Sequence, residues 1–117
     1  MTADFWDATA KAIGPDLDVL AIDCRGHGLS DKLPGPYTVE LFASDLASGL
    51  YDAGWDTAII GGPSLLGGCV ALAFTNTYAE RTVGLGLIDT TAWYGETLIA
   101  DGEELGQKVI SDGMNAL

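Results

Sequence analysis

Gly62-Pro63-Ser64-Leu65-Leu66-Gly67-Gly68 follows a short apolar run at residues 57–60. A serine between glycines, where an apolar strand turns into a helix, can be presented as a nucleophile toward a carbonyl carbon. The spacing that normally does this is Gly-x-Ser-x-Gly, with small residues two before and two after the serine. Gly62 meets the first condition. Leu66 fails the second, because its side chain would point at the crowded strand-to-helix joint. Removing either Leu65 or Leu66 restores the ordinary spacing, so the stretch reads as a one-residue insertion in which neither leucine is singled out. One extra residue turns everything after it by about 100° around a 3.6-residue helix. That would swing Cys69, Leu72 and Ala73 off their faces unless a π-bulge or a lengthened turn absorbs it. Cys69 itself reads as a buried helix cysteine rather than a second nucleophile.

The elements that must hold this turn are legible by pattern. Phe5, Ala8, Ala12 and Ile13 fall at helical spacing, and Gly14-Pro15 stops them. Residues 18–23, Asp-Val-Leu-Ala-Ile-Asp, read as a buried strand, and the glycine- and proline-rich residues 24–37 as loop. Thr38 is placed to cap a helix with Glu40 in its first turn. Val39, Phe42, Ala43, Leu46 and Leu50 form that helix's apolar stripe, and Gly54 suits its exit. Residues 57–60 are a second strand, residues 69–80 carry a helix, and residues 82–89 are a third strand whose glycines allow close packing. Alternation of strand and helix implies a parallel α/β layout. Helical spacing resumes from Leu98, with Leu105, Val109 and Ile110 apolar and Gly113 as an interruption.

Composition narrows the partners. The chain has 117 residues, 48 % of them hydrophobic and 19 % charged, which favours one small folded domain over disorder. The net charge is −12, and its five cations are scattered, so no basic face exists for nucleic acid. Cys24 and Cys69 show neither metal-ligand spacing nor a disulfide framework, and the first residues lack the order of a secretory signal; both features are expected of a cytoplasmic protein. The uncharged stretch between Asp56 and Glu80 is long enough for a bilayer, but its glycines, Pro63 and Asn76 fit a strand, a turn and a buried helix better than a membrane span.

Three stretches carry a family resemblance. Ala-Ile-Asp-Cys-Arg-Gly-His-Gly-Leu-Ser-Asp (21–31) resembles the loop after the fourth strand of α/β-hydrolases. Residues 61–74 resemble their nucleophile elbow and following helix, and residues 79–95 their next helix end and sixth strand. Pro-Gly-Pro-Tyr-Thr (34–38), Thr-Thr-Ala-Trp-Tyr-Gly (90–95) and Ser-Asp-Gly-Met-Asn-Ala-Leu (111–117) are most similar to 3-oxoadipate enol-lactonases and related esterase-like members. The resemblance implies an α/β fold class: a partial α/β-hydrolase fold of three parallel strands with helices on both faces. Residues 1–95 would form that partial core with its nucleophile elbow, and residues 96–117 the beginning of a helical cap. It implies a serine hydrolase of small-molecule esters or lactones, with Ser64 as nucleophile, the Leu65 backbone N–H as an oxyanion donor, Trp93 on the pocket wall, and neither cofactor nor metal. Serine at position 64, rather than aspartate, argues against a dehalogenase or an epoxide hydrolase.

The same resemblance implies what an active member needs in addition: earlier strands with a second oxyanion donor, and later strands bearing a catalytic acid and histidine. His27, the sole histidine, occupies a slot used to shape a turn, and Asp89 one with a strand-end hydrogen-bonding role. Loss of an oxyanion donor costs roughly a hundredfold to a thousandfold in turnover, and loss of the base on the order of 10⁶. The chain is therefore expected to be truncated and inactive alone. In the family's sheet another strand lies between those matching residues 18–23 and 57–60. These two are expected either to close up and pair, or to leave unpaired edges open to self-association or to a partner. The alternative reading is thus a non-catalytic binding or assembly subunit, or half of a split hydrolase.

Overall fold

The computed structural model describes residues 2–14 and 16–91. A 3₁₀ turn at Ala3–Trp6 leads into helix α1, Asp7–Ile13. Helix α2 (Val39–Asp52), strand β1 (Ala58–Pro63), helix α3 (Ser64–Thr77), a 3₁₀ turn (Ala79–Arg81) and strand β2 (Thr82–Ile88) follow. β1 and β2 are parallel, with Ile60 opposite Leu85 and Gly62 opposite Leu87. α3 is the crossover that a parallel pair requires.

Local chemistry sets the helix ends. The Leu41 N–H donates to the Thr38 hydroxyl at 3.3 Å, which caps α2. At the far end Gly54 adopts φ 75°. Its N–H bonds the Tyr51 carbonyl at 2.9 Å, and the Trp55 N–H bonds that of Leu50 at 2.8 Å. This paired pattern satisfies the last carbonyls of the helix and needs a residue without Cβ at the left-handed position.

The core lies on one face of the sheet. Ala43, Ala47 and Leu50 of α2 meet Ala71 and Phe74 of α3 over Ile60 of β1. Phe42, Ala43 and Leu50 are buried as the stripe predicts; Val39 and Leu46 are half-buried, and Ala47 joins the core. Alternation along the strand puts Ile60 inward at 3 % exposure and Ile59 on the opposite face at 72 %. Val83 of β2 is exposed too. None of α1's residues is buried; Phe5 and Ile13 are exposed, whereas Trp6 and Ala10 are half-buried.

The α/β class holds, with one difference in strand pairing: two strands, not three, are hydrogen-bonded among the described residues. Segment 18–23 forms no ladder with β1. Two adjoining cavities, of about 800 Å³ and 700 Å³, lie along this segment and β1 and share Val19, Leu20, Ile59 and Gly61 in their walls. Strands pair at about 4.8 Å, so a gap of this size keeps the two backbones apart.

Arg81 fastens the opposite end of the sheet. Its guanidinium donates to the carbonyls of Trp55 at 2.9 Å, Asp56 at 3.1 Å and Ala47 at 3.3 Å. This joins the end of α2, the turn into β1 and the start of β2. Arg81→Met keeps the aliphatic stem but leaves three carbonyls without their donor, and should cost about 2–3 kcal/mol. Urea unfolding monitored by the core fluorescence checks the value.

Candidate active site

Ser64 stands where β1 ends and α3 begins, and its φ is 61°. Such a left-handed conformation costs a residue with a Cβ roughly 1–2 kcal/mol and persists only where the surroundings enforce it. The enforcement comes from two glycines. A Cβ on Gly62 would overlap the Gly67 carbonyl, and a Cβ on Gly67 would sit 2.9 Å from Pro63 Cδ and 3.1 Å from the Gly62 backbone. The helix is pressed against the strand at this point, and the intervening Pro63-Ser64 must turn sharply.

The Gly-x-Ser-x-Gly spacing places the second small residue at the position of Leu66. In the structure the close approach is made by Gly67, while Leu66 is half-buried and lines the larger cavity. α3 runs uninterrupted from Ser64 to Thr77 as α-helix, with no π-bulge. Gly68, Val70, Ala71 and Phe74 are buried, and Cys69, Leu72 and Ala73 are half-buried. Gly68 has its own function: a Cβ there would collide with Thr90, just after β2.

Ser64 is exposed and lines the larger cavity. Leu65 occupies the first turn of α3, whose N-cap, Pro63, makes no side-chain capping bond. The backbone N–H groups of such a first turn lack intrahelical acceptors and carry the positive end of the helix dipole, so an oxyanion nearby is favoured. Trp93 lies outside the described residues, as do residues 96–117.

No described side chain hydrogen-bonds the Ser64 hydroxyl. His27 lines the same cavity, but its Nδ1 is 3.1 Å from the Arg25 carbonyl oxygen, and its backbone forms consecutive turns with Cys24 and Ser30. Asp89, exposed at the end of β2, is itself left-handed at φ 49°. Cys24 also faces the cavity, and burial, with the negative charges of Asp45 and Asp23, pushes its thiol pKa up. That favours the unreactive protonated form. Among the described residues no group of three His, Cys, Asp or Glu could hold a metal ion, no disulfide forms, and no helix is long and apolar enough to cross a membrane.

One hub was not legible in the motif. Asp23 Oδ2 accepts from the Leu29 N–H at 2.9 Å and Oδ1 from the Ala3 N–H at 2.6 Å, while its carbonyl accepts from the Ser30 hydroxyl at 2.6 Å. A Cβ on Gly28, at φ 49°, would strike the Asp23 carboxylate. Arg25 adds a two-pronged bond to Asp45 of α2, both contacts at 2.6 Å. The loop is thereby locked beside the cavity. An acidic residue at a strand end followed by a glycine-rich turn is the only sequence signal for it; the partner Ala3, twenty residues away, gives none.

No protein-family model and no curated protein matches this chain. Solved structures do. A thermophilic esterase from Thermogutta terrifontis is similar at 30 % identity and TM-score 0.84, covering 97 % of this chain and 42 % of the esterase. A hydrolase from Pseudomonas aeruginosa PA01 is 32 % identical at TM-score 0.79, covering 95 % and 41 %. Est816, an N-acyl homoserine lactone degrading enzyme, shares the fold at 24 % identity and TM-score 0.80, covering 99 % and 43 %. The chain thus spans less than half the length of each of these proteins. Fold and neighbours together define a hydrolase-like α/β protein with a partial α/β-hydrolase fold. Its similar structures at 30 % identity or above are an esterase and a hydrolase.

Two measurements test the site's mechanics. Ser64→Gly relieves the left-handed strain and should stabilise the chain by about 1 kcal/mol, whereas Ser64→Ala, which keeps a Cβ, should give no such gain; paired urea titrations compare them. The Leu29 N–H first, then the Ala3 N–H, hold the Asp23 pKa below its ordinary value of 3.8. A folded pKa lower than the unfolded one gives stability that is present above the unfolded value and lost as pH falls through the folded value. Asp23→Asn should therefore flatten the decline in unfolding midpoint that the parent shows below about pH 4.

Proposed function

We propose that this chain carries the nucleophile-bearing part of a serine hydrolase of carboxylic esters or lactones, of the 3-oxoadipate enol-lactonase-like kind, and that it is inactive alone. The observation that carries the reading is the left-handed Ser64 at the head of an uncapped helix. An esterase and a hydrolase among the similar structures support the reaction class.

In this reading Ser64 Oγ attacks the carbonyl carbon of the ester or lactone, and its proton passes to a base. The tetrahedral oxyanion is held by the Leu65 N–H, the alkoxide leaves with a proton, and an acyl-serine remains. Water then attacks the acyl carbon and releases the acid. Trp93 forms part of the pocket wall and residues 96–117 begin a cap. No cofactor or metal takes part, and the reducing cytoplasm is the assigned compartment. A serine hydroxyl has a pKa far above neutrality and is barely nucleophilic without a base. No described residue is bonded to Ser64 in that role. The surface charge of −12 gives an anionic substrate no electrostatic steering, and a neutral ester is the better probe.

The test is hydrolysis of a simple neutral ester together with fluorophosphonate labelling and mapping of the adduct. The purified chain should show no turnover above Ser64→Ala, while Ser64 should take the label in cell extract. Turnover by the chain alone that disappears in Ser64→Ala would overturn its inactivity. Absence of label on Ser64 in both settings would remove its nucleophilic role.

A further inference from the structure

Two residues, Leu65 and Leu66, stand between Ser64 and Gly67, the glycine that α3 presses against Gly62. A Gly-x-Ser-x-Gly turn has one residue there. Both ends of the interval are fixed, so the added side chain is not carried away down the helix but stays beside the serine. Consecutive residues of an α-helix point about 100° apart, and the two leucines divide accordingly. Leu65 is 53 % exposed and takes no part in the wall of the larger cavity, whereas Leu66 is half-buried and belongs to that wall together with Ser64. Val70, four residues on and so on the same face of α3, is buried and lines the same cavity. Phe42 and Leu46, likewise four apart on α2, line it too. Helical side chains lean toward the N-terminus of their helix, so Leu66 leans toward the end of α3 that bears Ser64, with Val70 behind it.

We propose that Leu66 is a specificity-determining residue, which restricts Ser64 to esters and lactones with short, uncharged acyl groups. The proposal deepens the serine-hydrolase reading given above and rests on it. An acyl group carried on Ser64 and extending into the cavity meets the Leu66 isobutyl group before it reaches Val70, Phe42 or Leu46. These four side chains offer hydrocarbon and neither charge nor hydrogen bond, so a charged acyl chain loses its hydration there without replacement. A long acyl chain must also displace a leucine that already fills the space nearest the hydroxyl. Removing the isobutyl group opens that space and leaves the serine, the Leu65 N–H and the contact of Gly62 with Gly67 in place.

The experiment labels Ser64 in cell extract with two fluorophosphonates that differ only in the alkyl group on phosphorus, ethyl or octyl, which stands for the acyl chain. In each case the Ser64 Oγ–P bond forms as the P–F bond breaks, fluoride leaves and the hydroxyl proton passes to the base. The mass of the Ser64 peptide reports each adduct, and each rate is divided by that reagent's spontaneous hydrolysis rate. The parent should favour the ethyl reagent by about tenfold or more, and Leu66→Ala should reduce that preference by about tenfold. Leu66→Val should fall between them, and it decides the matter where Leu66→Ala does not fold. Leu72→Ala, on the same helix but outside the cavity wall, should keep the parent's preference. The preference is a ratio within each variant, so a loss of folded protein lowers both rates and leaves it unmoved. Equal labelling of the parent by both reagents, an unmoved ratio in the Leu66 variants, or an equal shift in Leu72→Ala would overturn the role of Leu66 while leaving Ser64 as nucleophile. Absence of both adducts would remove the serine-hydrolase reading and this proposal with it.

Discussion

The joint between Gly62 and Gly67 is the constraint on which the rest depends. The absence of two side chains brings α3 onto β1 so closely that an added Cβ on Gly62 would overlap the facing carbonyl. Ser64 takes up the turn that remains, in a conformation it would not choose. Its exposure, the position of Leu65 in the first helical turn and the burial of Ala71 and Phe74 over Ile60 are consequences of that contact. Pressed further or relaxed, the same chain would lose either its core or the aim of its hydroxyl.

Much of this was readable from residue order because it is local. Thr38, Gly54 and the apolar stripe between them act over a few residues, and the caps form as their side chains dictate. β1 and β2 were visible as apolar runs on either side of a crossover. The elbow was visible too, but with the close-packed position assigned one residue early. The motif spacing weighed against Leu66, whereas the geometry asks only which residue of α3 comes over Gly62, and that is Gly67.

What could not be read is what depends on distant partners. Residues 18–23 have the composition of a buried strand, and composition cannot say whether a neighbour is within 4.8 Å. The Asp23 carboxylate serves Ala3, twenty positions away, and Arg25 serves Asp45. α1 has helical spacing whose predicted face remains largely in solvent, since the surface it would cover needs more sheet than the described residues supply.

Arg81 gives the molecule a mechanical polarity. By clasping three carbonyls where β1 and β2 start, it makes the end of the sheet remote from Ser64 the fixed one. On the other flank, segment 18–23 hangs between the Asp23 knot and Gly14, with no ladder along its length. If the cavities beside β1 change in width, the compliant wall is this segment and not β1. The serine's bearing would then stay constant while the space beside it is resized, as a vice keeps one jaw still.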